Sequence, residues 1–162
     1  MSKQILQEEF DLLRQDLIVA YETKGMRASG NFPESLDIII GDSFAELWGD
    51  EYAEQLEYGR GVTKSSGSGD NTLVEDIEQW ILDKGVFTAA LEEIKLSSLA
   101  YLIARKIHNE GWNRAQHGGV GLISEVITEQ RLQLIIDRFG ESELIKFSSD
   151  IIDIFKEVEN GN

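Results

Sequence analysis

The chain has 162 residues, 41% of them hydrophobic, with thirty acidic and fifteen basic side chains and a formal net charge of −15. That size and apolar content describe one globular domain with a real core rather than a disordered segment. The acidity argues against a DNA reader, which needs lysine and arginine to neutralise phosphates, and the lack of cysteine excludes disulfides, thiolate metal sites and cysteine nucleophiles. No apolar run approaches the ~20 residues that span a bilayer, and the opening MSKQILQEEFDLL reads as a charged helix rather than a signal peptide.

Residues 3–24 predict a first helix. Leu6, Phe10, Leu13, Leu17 and Tyr21 recur at steps of four, three, four and four, which puts them on one stripe. Ser2 reads as its cap and Gly25 as its stop. Thr23 to Asn31 holds Lys24 and Arg27 and no acid, a weak sign of a contact surface. Pro33 biases Phe32 towards an extended backbone and announces a first strand. Asp37-Ile-Ile-Ile40 is rich in β-branched residues, and Gly41-Asp42 supplies a turn. Phe44 to Leu56 reads as a second β-rich segment with a turn at Gly49-Asp50, giving a hairpin or three-stranded meander. A helix over 43–56 competes, supported by Ala45, Glu46, Leu47, Glu51 and Glu54.

Gly59-Arg60-Gly61 follows, with glycines that allow a sharp turn or close approach to another chain. Arg60 is expected to pair with Glu57 or Glu54, or across a subunit boundary. Lys64 to Asn71, KSSGSGDN, is a serine-glycine loop with the wrong spacing for a phosphate loop. Asp70 or Asn71 caps a second helix, Leu73–Lys84, which ends at Gly85 and buries Val74, Ile77, Trp80 and Ile81. A third helix is expected from about Ala89 to Glu110, with Leu96, Leu99, Ile103 and Ile107 on one face, Ala100 and Ala104 beside them, and Gly111 as the stop.

Arg105 to His117, RKIHNEGWNRAQH, is the one positive stretch legible in the chain. A metal site from His108 and His117 is not expected, because they stand nine apart with Gly111 between them and no ligand-like carboxylate. Catalysis also lacks a serine, cysteine or carboxylate pair suitably placed for either histidine. Local helix-end capping and a docking patch for an acidic neighbour or phosphate remain the two readings. QHGGVGL is a glycine-rich turn. A helix then opens at Thr128 with Leu132, Ile135, Ile136 and Phe139 on one side, and Gly140 is expected to interrupt it. Glu141 to Glu159 resumes with Leu144, Phe147, Ile151, Ile154, Phe155 and Val158, a stripe broad enough for a partner. No internal repeat or heptad array is visible, and the acids are spread over helix faces rather than converging as catalytic groups do.

Four of these segments, in order, carry a resemblance. Ser29-Gly30-x-x-x-x-Ser35-Leu36, then Tyr52-Ala53, then Leu56-Glu57-Tyr58-Gly59-Arg60, then Ile77-Glu78-Gln79-Trp80-Ile81-Leu82-Asp83-Lys84-Gly85 resemble the tail-completion and neck proteins of tailed bacteriophages. That family carries a TG-x-L-x-x-S turn, a YA-x-x-(V/L)-E-(Y/F)-G strand end and an I-x-x-W-(I/V)-x-x-K-G segment. The match spans residues 26–111. Where relatives have a proline-rich PG-x-x-PP after Gly-Arg, this chain has Val62 to Asn71, so the family's loop conformation does not carry over.

The resemblance implies an α+β fold, a small antiparallel sheet packed against an N-terminal helix and several C-terminal helices. It implies a non-enzymatic virion protein without cofactors, made in the host cytoplasm. Copies would close head to tail into a ring, six- or twelve-fold, at the portal, beside other neck or tail proteins. Genomic DNA would be passing cargo only, and no membrane is involved. Tyr58, Gly59, Arg60, Lys64, Arg105, Arg114 and His117 are the expected subunit-interface residues. A small acidic adaptor binding a single partner is the alternative.

Overall fold

The computed structural model describes residues 2–28, 31–62, 72–87, 94–113, 115 and 121–160. It is an α+β structure, mostly helical, with one two-stranded antiparallel sheet. Helix α1 spans Ser2–Thr23, and the expected stripe is its core face, with Leu6, Leu13, Leu17 and Tyr21 all buried. Gly25 terminates it with a φ of 60°. The Gly25 N–H donates to the Glu22 carbonyl (2.9 Å) and the Met26 N–H to the Tyr21 carbonyl (3.0 Å). These two bonds satisfy the last carbonyls, and Met26 joins Tyr21 in the core, the apolar contact that seals such a helix end. Ser2 does not cap α1; it lies inside the helix, its hydroxyl paired with that of Ser142 at 3.3 Å.

Phe32 is helical rather than extended, in the short α2, Asn31–Ser35. Pro33 sits in its first turn, where a missing N–H costs nothing, and burying the Phe32 ring against Tyr21 (centroids 5.0 Å apart) favours the turn over a strand. Strands β1, Asp37–Ile40, and β2, Ala45–Trp48, pair with Ile38 opposite Leu47 and Ile40 opposite Ala45. Those four lean inward while Ile39, Glu46 and Trp48 face water, the period-two alternation of a one-sided sheet.

The second β segment ends at Trp48. Tyr52–Tyr58 is helix α3, so there is a hairpin and no meander. Nothing from Asp50 to Tyr58 is β-branched, and Ala, Glu, Gln and Leu favour helix. The Asp50 carboxylate and carbonyl accept from the N–H groups of Tyr52 and Ala53 and start the first turn. Two apolar clusters lie beneath. One gathers Leu17, Tyr21, Met26, Phe32, Leu36, Leu56 and Leu122; the other gathers Leu6, Leu13 and Ile135. Each fully buried large side chain is worth roughly 1.5–3 kcal/mol.

Helix α4, Leu73–Lys84, begins and ends as expected, but Thr72 caps it. The Thr72 hydroxyl accepts from the Glu75 N–H (3.4 Å) while the Glu75 carboxylate accepts from the Thr72 N–H (2.6 Å), a reciprocal capping box. Asp70 and Asn71 lie outside the described residues. Trp80 is not a core anchor: it stays exposed and Ile81 is the buried residue. Helix α5, Leu96–Glu110, starts later than expected, with Ile94 and Lys95 outside it, and packs on α4 with Ala100 and Ala104 buried, the close approach that small side chains permit. Short α6, Ile123–Val126, leads into α7, Glu129–Asn160. Gly140 does not break α7. A helical glycine costs about 1 kcal/mol, and strong helix formers on both sides outweigh it.

The isolated cations near the end of α1 are used internally. Arg27 pairs with Glu22 (2.5 Å) and Lys24 with Glu125, so both charges are met by acids of the chain itself. Hydrogen bonding from Arg27 holds the Glu22 carboxyl below its ordinary range, and bonds from Thr72 do the same for Glu75. Burial pushes the Tyr21 phenol up.

Candidate subunit interface

Gly59 and Gly111 stand 52 positions apart in the chain, yet their backbones cross. The Arg60 N–H donates to the Trp112 carbonyl and the Trp112 N–H to the Arg60 carbonyl, both at 2.6 Å. Both glycines have positive φ, 84° and 71°. A Cβ on Gly59 would stand 2.1 Å from the Trp112 carbonyl oxygen, and one on Gly111 would stand 2.7 Å from that of Arg60. Only glycine fits on either side. The close approach expected for the Gly-Arg-Gly turn is therefore made to the protein's own chain. Gly61 has open space around it.

This clasp is braced from α3. The Glu57 carboxylate accepts from the Ile123 N–H at 2.6 Å and from the Ser124 N–H at 3.3 Å, satisfying donors at the start of α6. Gly121 lies flush against it, where a Cβ would come within 2.3 Å of the carboxylate. Glu57 is thus committed to α6, and the expected Arg60–Glu57 pair is not formed. Arg60 makes no ion pair among the described residues, Glu54 included.

The clasp ties the end of α3 to the end of α5. Tyr58 is 69% exposed and Val62 45%; Arg60 and Trp112 are half-buried, while Arg105, Lys106 and His108 on α5 are exposed. Of the expected interface residues, the structure brings Tyr58, Gly59 and Arg60 to the end of the helix that carries Arg105. Lys64, Arg114 and His117 lie outside the described residues. Tyrosine, tryptophan and arginine are the side chains that carry most energy at protein interfaces, and Arg60, Arg105 and Lys106 stand on these elements together with the exposed Glu54 and Glu110. Chemically the surface offers guanidinium donors beside aromatic faces, which suits carboxylates on a partner.

Sequence reasoning missed Trp112, Glu57 and the clasp. The two glycine-bounded turns were visible, but nothing local signals that they pair. Among the described residues no group of three or more His, Asp or Glu could hold a metal ion, and no helix is long and apolar enough to cross a membrane. A separate apolar hollow of about 120 Å³ is lined by Leu17, Phe32, Leu36, Leu47, Ala53 and Ile123, with no ionisable side chain among its described lining residues. No protein-family model, curated protein or solved structure matches the chain.

Proposed function

We propose that this protein is a non-enzymatic structural component of a tailed-phage neck or tail. Copies close into a ring at the portal, present a docking surface to tail components, and let DNA pass. The observation that carries the reading is the clasped surface. It sets Tyr58, Arg60 and Trp112 together at the end of α5, the helix that carries the exposed Arg105 and Lys106, on the segment that resembles the neck family. A head-to-tail ring needs two different complementary patches; the guanidinium and aromatic groups at the clasp supply one, and the acidic remainder of the chain supplies the other. The same acidity lets a duplex slide past without sticking, since like charges repel.

Arg60→Glu with Arg105→Glu tests it. Arg105 is exposed and Arg60 half-buried with no ion pair among the described residues, so circular dichroism should be unchanged while incorporation into assembling particles fails. Normal incorporation of the double variant would remove the proposal.

A further inference from the structure

Helix α7 changes partners halfway along. In its first half, Ile135, Phe139 and Ser142 point towards α1: Ile135 sits in a core cluster with Leu6 and Leu13, and Ser142 meets Ser2. Arg138 pairs with Glu8 and Glu9 of α1, and Arg131 with Glu9 and Asp16. At about 100° per residue, that row continues through Lys146, Ser149 and Asp153, all polar. The opposite row becomes apolar at the same point. Ile151 lies two and a half turns beyond Ser142, on the far side of the helix, and Leu144, Phe147 and Ile154 line up with it. Every described residue from 144 to 156 is exposed, and α7 runs on past the described start of α1 for some 18 residues, about 27 Å.

That arm carries seven large apolar side chains, Leu144, Ile145, Phe147, Ile151, Ile152, Ile154 and Phe155, each 37–66% exposed. At roughly 200 Å² for a free side chain of this size, they leave on the order of 800 Å² in water, about what each partner contributes to a standard interface. Soluble monomers rarely leave so much contiguous apolar surface bare.

We infer that the arm's partner is a second copy of this chain, bundled through the same helices in parallel. Three observations select it. Leu144, Phe147, Ile151 and Ile154 step by three, four and three, the spacing of a left-handed helical seam. In parallel register Glu143 and Asp150, which flank that seam on one side, meet the uncharged flank of Ser148 and Phe155 on the second copy, whereas antiparallel pairing would set the acidic flank against its own copy. The apolar arc covers about half the circumference, wider than a two-helix seam requires, which fits each arm touching two neighbours. A membrane surface is a poor match, since anionic headgroups select lysine and arginine on the polar face, where this helix carries Asp150 and Asp153 between its two lysines. This surface is distinct from the clasp, and the inference holds whatever larger structure the protein joins.

The test uses the full chain. Because it has no cysteine, Leu144→Cys creates the only thiol. Parallel pairing places two of them together and predicts a disulfide-linked dimer on mild oxidation; antiparallel pairing would place each near residue 158 instead. Sedimentation velocity at micromolar concentration should show an oligomer whose association tightens as salt rises above ~0.15 M, because the −15 bodies repel one another. Phe147→Asp with Ile154→Asp should weaken it at least tenfold with the monomer's helicity retained. A monomeric wild type at high salt, an oligomer indifferent to the double aspartate variant, or a Leu144→Cys chain that stays unlinked each overturns the inference. A wild type that is monomeric until an apolar peptide with a basic rim binds the arm would assign the surface to a foreign partner instead. Arg60→Glu with Arg105→Glu should leave the Leu144→Cys cross-link intact, so the clasp and the arm fail separately.

Discussion

The two halves of α7 contain similar residues and have opposite fates. Residues 129–142 bury Ile135 and Ser142 against α1 and are held by Arg131 and Arg138. Residues 143–156 are as apolar, yet none is buried. The difference lies in the phase of the pattern, which shifts by half a turn around Gly140. A helix whose apolar stripe jumps to its other side turns that second face away from its own core, and on the inference above a second copy covers it.

The sharpest way to break that comparison is a matched pair of truncations. Ile135→Ala should cost about 2–5 kcal/mol in chemical denaturation, the usual range for emptying a core site. Ile151→Ala should stay within ~0.5 kcal/mol for the monomer. Equal losses would mean the arm is packed after all. Gly111→Ala should come next. Positive φ and the 2.7 Å approach to the Arg60 carbonyl together make the substitution cost about 1–3 kcal/mol and should raise hydrogen exchange at the Arg60 and Trp112 amides. Thr72→Ala should be smaller, about 1 kcal/mol, by removing the cap of α4.

The smallest effect is pH. Glu22 and Glu75 have folded pKa values below the ordinary glutamate value of 4.5. Their contribution is present above that value and fades as pH falls through the folded pKa. Tyr21 has the opposite sign: its raised pKa means stability is held below its ordinary value of 10.0 and lost above it. Denaturation midpoints should therefore fall at both extremes, with the acid loss reduced in Glu75→Gln.

The regular stretches were legible because their signals are local. The stripe from Leu6 to Tyr21, the glycine stops at Gly25 and Gly85, and the Ile38–Ile40 run each carry enough information within a few residues. What escaped depends on distance. Aromatic residues at Tyr52 and Tyr58 looked like strand until helix formers and the Asp50 turn decided otherwise, and Gly140 looked like a break that a long helix absorbs. Trp80 has the spacing of a core residue, although Ile81 is the one that is buried. The Arg60–Trp112 clasp is set by where α5 ends relative to α3, which no window of sequence contains. Tyr58, Gly59, Arg60 and Arg105 stand out locally in the sequence, while the roles of Trp112 and Glu57 in the clasp depend on the fold.

Native mass measurement of the purified protein mixed with a portal ring tests the assembly account most directly. The account predicts a discrete multi-copy addition in which several chains join together, abolished by Arg60→Glu with Arg105→Glu while the variant stays folded. A single bound copy, or an assembly untouched by the two charge reversals, would contradict it.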